Sequence, residues 1–214
     1  MSDERIAVYA DYVCPFCYLG RGSLERYRAA REEPLAVEWR PFDLRADARS
    51  PDGTLDEPGA HGPQGAALER VQESVADLRE RYDADEMLDL EAVPDVDSLR
   101  AQRVSQFVQE RHPDRWPALD RGLYAALWEE GRDVGDAAVL ADVAADAGFP
   151  SGVVDDALAG GPWEPLREAF AAARQAGVTG VPTFVADGHA ARGAVPPAQL
   201  ERLVEGAADA GPAP

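Results

Sequence analysis

The two cysteines of this chain, Cys14 and Cys17, are separated by Pro15 and Phe16 and follow closely on the apolar run Ile6-Ala7-Val8-Tyr9-Ala10. That arrangement demands a strand-to-helix junction. Proline has no N–H for a sheet ladder or a helix interior. At the first helical position its missing donor costs nothing and its φ is already helical. The strand must therefore end before Pro15 and a helix must open there, with Cys14 at the N-cap and Cys17 one turn inside.

The rest of the chain is read outward from this junction. The first helix runs to about Ala30, and the alternation in Leu35-Ala36-Val37-Glu38-Trp39-Arg40 predicts a second strand. Residues 46–63 hold Pro and Gly among Asp and Ser, a loop composition. A long helical block follows. One stripe comprises Leu68, Val71, Val75, Leu78 and Tyr82, and a second helix from Ser98 to Arg111 faces inward with Val104, Phe107 and Val108. Pro117 introduces a third helix through Leu127 and Trp128, Asp136 caps a fourth, and a short fifth carries Val153 and Val154. A last helix runs from Glu164 to about Ala176, with Gly177 as its C′ residue. Thr183–Ala186 is then a strand, Asp187-Gly188 a two-residue hairpin turn, His189–Ala194 its partner, and Pro196-Pro197 starts a final helix.

The order is β-α-β, a helical block, then β-β-α. The predicted class is α/β, a thioredoxin-like fold interrupted by a large all-helical insertion. The expected division is 1–62 with 177–206 as the thioredoxin-like domain, 63–176 as the insertion whose last helix leads back into the core, and 207–214 as a frayed tail.

Charge narrows the function. The formal net charge is −19, and all 21 basic residues are arginine. A field this negative excludes a phosphate-reading surface and docking on anionic lipid, so neither nucleic acid nor membrane is expected as a partner. An acidic, lysine-free surface suits concentrated salt, where the Debye length is only about 3 Å at 1 M, and predicts a halophile-type protein. No apolar run is long enough to span a membrane, and the charged start Met-Ser-Asp-Glu-Arg is unlike a secretory signal, so the expected location is cytoplasmic.

In a reducing compartment a lone Cys-x-x-Cys is catalytic or metal-binding rather than structural. Zinc would need four ligands, and the only histidines, His61, His112 and His189, lie in unrelated segments, so no metal is expected. The partial positive charge and free N–H groups of a helix N-terminus favour a thiolate at Cys14. Cys14 is then the nucleophile of thiol–disulfide exchange and Cys17 the resolving thiol. Asp11, three residues before Cys14, has two readings: an acceptor for the Cys17 proton, or a solvated strand-end carboxylate. Gly180-Val181-Pro182-Thr183 marks a rigid turn at a strand entrance, compatible with a cis Val181–Pro182 bond. His112 reads as a helix-end residue, Gly20-Arg21-Gly22 as part of the first helix, and Trp116, Trp128 and Trp163 as core, with a substrate groove as the alternative.

Four blocks carry a resemblance: Asp11-Tyr12-Val13-Cys14-Pro15-Phe16-Cys17-Tyr18-Leu19-Gly20, Trp39-Arg40-Pro41-Phe42, the stretch Glu129 to Asp136, and Gly177 to Val185. Through them the chain resembles the DsbA family of thioredoxin-fold thiol oxidoreductases, and within it the FrnE-like branch. The resemblance implies that Pro182 is a cis-proline packed beside the cysteines and that the Val181 backbone pairs with a bound peptide. It also implies that Pro15 and Phe16 contact substrate. Phe16 departs from the Pro-His pair of strongly oxidising members and predicts a less oxidising couple. The expected activity is reduction or isomerisation of disulfides in protein or small-thiol substrates. Beyond the dithiol no cofactor is expected, with glutathione or another small thiol as a candidate co-substrate. The alternatives are a glutathione-dependent isomerase or transferase of the related kappa-class type and a redox-sensing interaction module. The helical insertion is expected to lie over the Cys14 face.

Overall fold

A computed structural model describes residues 4–55 and 63–206. The expected tail at 207–214, His61 and the end of the 46–63 loop therefore lie wholly or partly outside the described residues. Four strands form one sheet: β1 (Arg5–Ala10), β2 (Ala36–Pro41), β3 (Thr183–Ala186) and β4 (His189–Arg192), in spatial order β2-β1-β3-β4. β2 runs parallel to β1, whereas β3 is antiparallel to both β1 and β4. Helix α1 (Pro15–Ala30) makes the crossover from β1 to β2. Between β2 and β3 lie α2 (Ala66–Arg81), α3 (Leu99–Arg111), α4 (Trp116–Trp128), α5 (Ala137–Asp146), α6 (Val153–Leu158) and α7 (Trp163–Gln175). A final helix, α8 (Pro197–Val204), follows β4. This is a thioredoxin fold with a helical insertion.

The local signals act as their chemistry requires. The Asp136 side chain accepts from the Ala138 N–H at 2.7 Å and caps α5. At the β3–β4 turn Asp187 and Gly188 both have positive φ, 47° and 81°, the geometry that twists a two-residue hairpin correctly. His112 is the C-cap of α3 and lies against Phe149. Trp116 and Trp128 are buried; Trp163 is half-buried and donates its indole N–H to the Pro51 carbonyl.

One expectation needs correction. The stripe on α2 is only partly a buried face: Val75 and Tyr82 are buried, but Leu68 is exposed. It lies in the first turn of α2, where the helix is mostly exposed, and Val75 is the buried residue within the helix.

The sheet register brings two distant chain segments together. Tyr9 pairs with Thr183, so the chain leaving the end of β1 passes beside the chain entering β3. Helix α1 packs close there as well. A Cβ placed on Gly20 would lie 3.0 Å from Pro182 Cγ and 3.3 Å from Phe184 Cζ, so a side chain at 20 would push the helix off the Pro182 turn. At the opposite edge, the Gln109 amide of α3, oriented to satisfy both ends, pairs with the N–H and C=O of Trp39 at 2.9 Å each and closes that part of β2. Among the described residues no helix is long and apolar enough to cross a membrane.

Candidate active site

Cys14 is the N-cap of α1, with extended backbone (φ −92°, ψ 116°) and proline in the first turn behind it. Its carbonyl accepts from the N–H groups of Cys17 (3.0 Å) and Tyr18 (3.2 Å), and its own N–H donates to the Asp11 carbonyl (3.1 Å). Both cysteines are free thiols. Cys17 is shielded, at 2% exposure, but so is Cys14, at 3%. Both thiols are therefore buried to the same degree, and the Val181 carbonyl lies directly on Cys14.

The turn before β3 contributes the second wall. The Val181–Pro182 peptide bond is cis, Pro182 is buried, and the Cys14 thiol donates to the Val181 carbonyl with Sγ···O 3.6 Å. Thr183 ties the turn down by donating from Oγ1 to the Gly180 carbonyl at 2.7 Å. Val13, Pro15, Phe16 and Val181 are all partly exposed, so the opening to the thiols is mostly apolar.

Asp11 is not the solvated carboxylate of one of its two readings. It is 1% exposed, because β1 ends beneath α3 and the segment after β2. Oδ1 accepts from Ser98 Oγ (2.5 Å) and the Val13 N–H (3.3 Å), and Oδ2 accepts from the Leu44 N–H (3.0 Å). Gln102 Nε2 donates in turn to Ser98 Oγ at 3.1 Å. Burial disfavours the charged form and raises the Asp11 pKa from 3.8 to about 6; the Ser98 and Leu44 donors oppose that shift, and the nearby Asp43 charge adds to it. Cys17 is pushed well above an ordinary thiol, first by burial, then by its hydrogen bond with Cys14 and the Cys14 charge; the Asp11 backbone opposes this and the Asp11 charge adds the smallest push.

A second buried network lies on the same side. The Tyr12 hydroxyl is 2.7 Å from Ser105 Oγ and 3.0 Å from Asp120 Oδ1, and Arg21 Nε donates to Asp120 Oδ2 at 2.8 Å. Trp116 Nε1 donates to Ser105 Oγ, and Trp128 Nε1 to the Tyr12 carbonyl. Tyr124 packs on the Tyr12 ring at 4.7 Å between centroids, under the Arg21 guanidinium. Burial holds the Tyr124 hydroxyl protonated far above its usual range, and negative charge at Cys17 reinforces this. Ser98, Gln102, Ser105, Asp120 and Tyr124 escaped the sequence reading, since Ser98 is the N-cap and the others are members of ordinary amphipathic helices. Their one common signal is a polar residue on an otherwise apolar face.

A free dithiol at a helix N-terminus, walled by a cis-proline turn and backed by a buried carboxylate, can carry two-step exchange at Cys14. A model of the DSBA-like thioredoxin domain matches residues 5–205. The chain belongs to that family. It is 28% identical over 183 residues to the uncharacterized protein YwbO of Bacillus subtilis (strain 168), covering 85% of this chain and 86% of that one. Its fold is similar to that of a probable DsbA oxidoreductase from Streptomyces coelicolor, with TM-score 0.74 at 23% identity, across 98% of this chain and 92% of the other. It is also similar to the cytosolic disulfide reductase DsbM of Pseudomonas aeruginosa, with TM-score 0.58 at 20% identity and 87% of each chain covered. The protein is thus a DsbA-like thioredoxin-fold member carrying a Cys14–Cys17 pair, and members of this family are disulfide oxidoreductases or isomerases.

Proposed function

We propose that this DsbA-family protein is a cytosolic dithiol–disulfide oxidoreductase of the FrnE-like branch. It reduces or isomerises disulfides in protein or small-thiol substrates. The observation that carries the proposal is the free Cys14 thiol at the α1 N-cap, 3.6 Å from the Val181 carbonyl. An extended substrate laid along the Val181 backbone would bring its disulfide to Cys14, with Pro15, Phe16 and Pro182 forming the rim.

The Cys14 thiolate attacks one substrate sulfur, forming a mixed disulfide and releasing the other sulfur as a thiolate. Cys17 then gives its proton to the Asp11 carboxylate and attacks Cys14 Sγ. The Cys14–Cys17 disulfide forms, the second substrate thiolate leaves, and the substrate has gained two electrons. A base of pKa about 6 is ionised at neutral pH yet basic enough to assist a thiol kept protonated by burial. The dithiol is the whole redox apparatus, and glutathione or a similar small thiol would return it to the reduced state. We assign the exchange chemistry to 1–62 with 177–206, and to the helical segment 63–176 the Ser98 hydroxyl that supports Asp11 from the other side.

Insulin reduction in molar salt tests the proposal with wild type, Cys14→Ser and Cys17→Ser. Both variants should lose multiple turnover, and Cys17→Ser should accumulate mixed disulfides on Cys14. Glutathione-dependent isomerisation surviving in Cys17→Ser would replace the proposal with an isomerase. Formation of the Cys14–Cys17 bond without turnover in wild type would leave a redox sensor.

A further inference from the structure

The Asp11 carboxylate is held from two sides by segments far apart in sequence. Leu44, after β2, supplies the N–H on Oδ2, and Ser98, before α3, supplies the hydroxyl on Oδ1. Each follows directly on an aspartate, Asp43 and Asp97, and one guanidinium binds both. Arg49 Nε donates to Asp43 Oδ2 (2.8 Å) and Nη2 to Asp43 Oδ1 (3.2 Å). Nη1 donates to Asp97 Oδ2 (2.9 Å) and Nη2 to Asp97 Oδ1 (2.9 Å). Nη1 also reaches the Gly53 carbonyl at 2.9 Å, so all five N–H donors are used. The Arg49 and Asp43 side chains are each 2% exposed, and the Trp163 ring lies 5.9 Å from the guanidinium carbon.

We propose that Arg49 is a positioning residue for the resolving step: its doubly bidentate fork locks the 43–44 and 97–98 segments together and thereby fixes the Asp11 carboxylate behind Cys17. This rests on Asp11 acting as the proton acceptor. The fork does two things at once. It sets the spacing of the two donors on Asp11, and it compensates Asp43, whose charge pushes the Asp11 pKa up. The other groups set against Asp11 are the Cys17 thiol from α1 and, at the start of α3, the Ser98 hydroxyl, itself held by Gln102. None of them is cationic, so Arg49 is the compensating charge built into this cluster. Lysine cannot replace it, because three donors on a single nitrogen cannot span two carboxylates bidentately.

The test uses the full-length reduced protein in molar salt with dithiobisnitrobenzoate as the disulfide probe. Release of the first nitrothiobenzoate reports attack by Cys14, and release of the second reports resolution by Cys17. In wild type the second rate should rise with pH through an inflection near 6, and Asp11→Asn should abolish that inflection. Arg49→Lys should slow the second phase on the order of tenfold relative to the first and move the inflection to higher pH. Asp97→Asn cuts the fork on the α3 side while leaving Arg49 and Asp43 paired, and it should slow the second phase in the same sense. If Arg49→Lys does not fold, Asp97→Asn decides. In an Asp11→Asn background, either change should add no further slowing. Wild-type phase ratios and inflection in the folded Arg49→Lys or Asp97→Asn protein overturn the Arg49 role alone, as does additional slowing in the double variant. An inflection that survives Asp11→Asn removes Asp11 as the base, and the Arg49 role falls with it.

Discussion

Replacing Asp11 by asparagine should stabilise the protein at neutral pH, by an amount that grows as the pH rises. The carboxylate is 1% exposed, and its pKa is raised from 3.8 to about 6, chiefly by burial. The folded state therefore keeps this proton to a higher pH than the unfolded chain does. Below 3.8 both states are protonated and Asp11 costs nothing. Between 3.8 and 6 the unfolded state ionises first and stability falls; above 6 the full cost is present. At about 1.4 kcal/mol per pKa unit, a shift of roughly two units makes the ionised carboxylate cost about 3 kcal/mol. Asparagine removes that cost. Its amide keeps an acceptor for Ser98 and Val13 but turns N–H groups toward the Leu44 N–H, a loss of about 1–3 kcal/mol that does not depend on pH. The difference between variant and wild type, measured by denaturant unfolding, should grow by about 2 kcal/mol between pH 4 and pH 8. Working with differences at fixed salt removes the large surface-charge contribution, which both proteins share. A stability difference that stays flat across this range would refute the assignment, because it would mean Asp11 ionises alike in the folded and unfolded states.

Gly20→Ala should cost about 1–3 kcal/mol, because its new methyl would meet Pro182 Cγ at 3.0 Å and Phe184 Cζ at 3.3 Å; thermal unfolding checks the loss. The same substitution should slow insulin reduction, since the helix must shift away from the Pro182 turn. Asp120→Ala leaves Arg21, 16% exposed at its side chain, without its buried partner and the Tyr12 hydroxyl without the carboxylate that accepts its proton. Breaking one side of a buried pair costs about 3–5 kcal/mol. Asp120→Asn keeps an acceptor for Tyr12 and should lose less, which a paired unfolding measurement resolves.

The fold was legible because its signals are local. A proline at the first turn of α1, the Asp-Gly turn between β3 and β4, the aspartate capping α5 and the return of strand pattern at Thr183 each specify one element. Their order then leaves little topological freedom. The core of the site was legible for the same reason, since Cys14 and Cys17 lie in one junction and Gly180 to Thr183 in one turn. The surroundings of that core were not legible. Ser98 and Asp11 lie 87 residues apart, and Tyr12 and Asp120 lie 108 apart. Nothing local marks Ser98 as the donor to a carboxylate, and periodicity cannot tell a serine on a solvated face from one under a sheet edge. Asp11 was ambiguous on the same ground, because the end of a strand is wet or dry according to what packs on it. Here α3 packs on it.

That packing bears on what the insertion does. The expectation of a cover over Cys14 treats the helical block as a device for excluding substrates. The residues it sends toward Asp11 and Tyr12 are polar and buried: Ser98, held by Gln102, at Asp11, Ser105 and Asp120 at Tyr12, and Tyr124 against the Tyr12 ring. Burying polar groups is costly unless each finds a partner, and these partners are supplied jointly by the insertion and by β1, α1 and the residues that follow β1. The pairing is mutual, since neither half can satisfy its buried groups alone. An insertion that merely shaded the thiols could be trimmed without changing how Cys17 loses its proton. One that supplies the hydroxyl on Asp11 cannot, and the pH dependence of the resolving step should therefore be a property of α3 as much as of the cysteines.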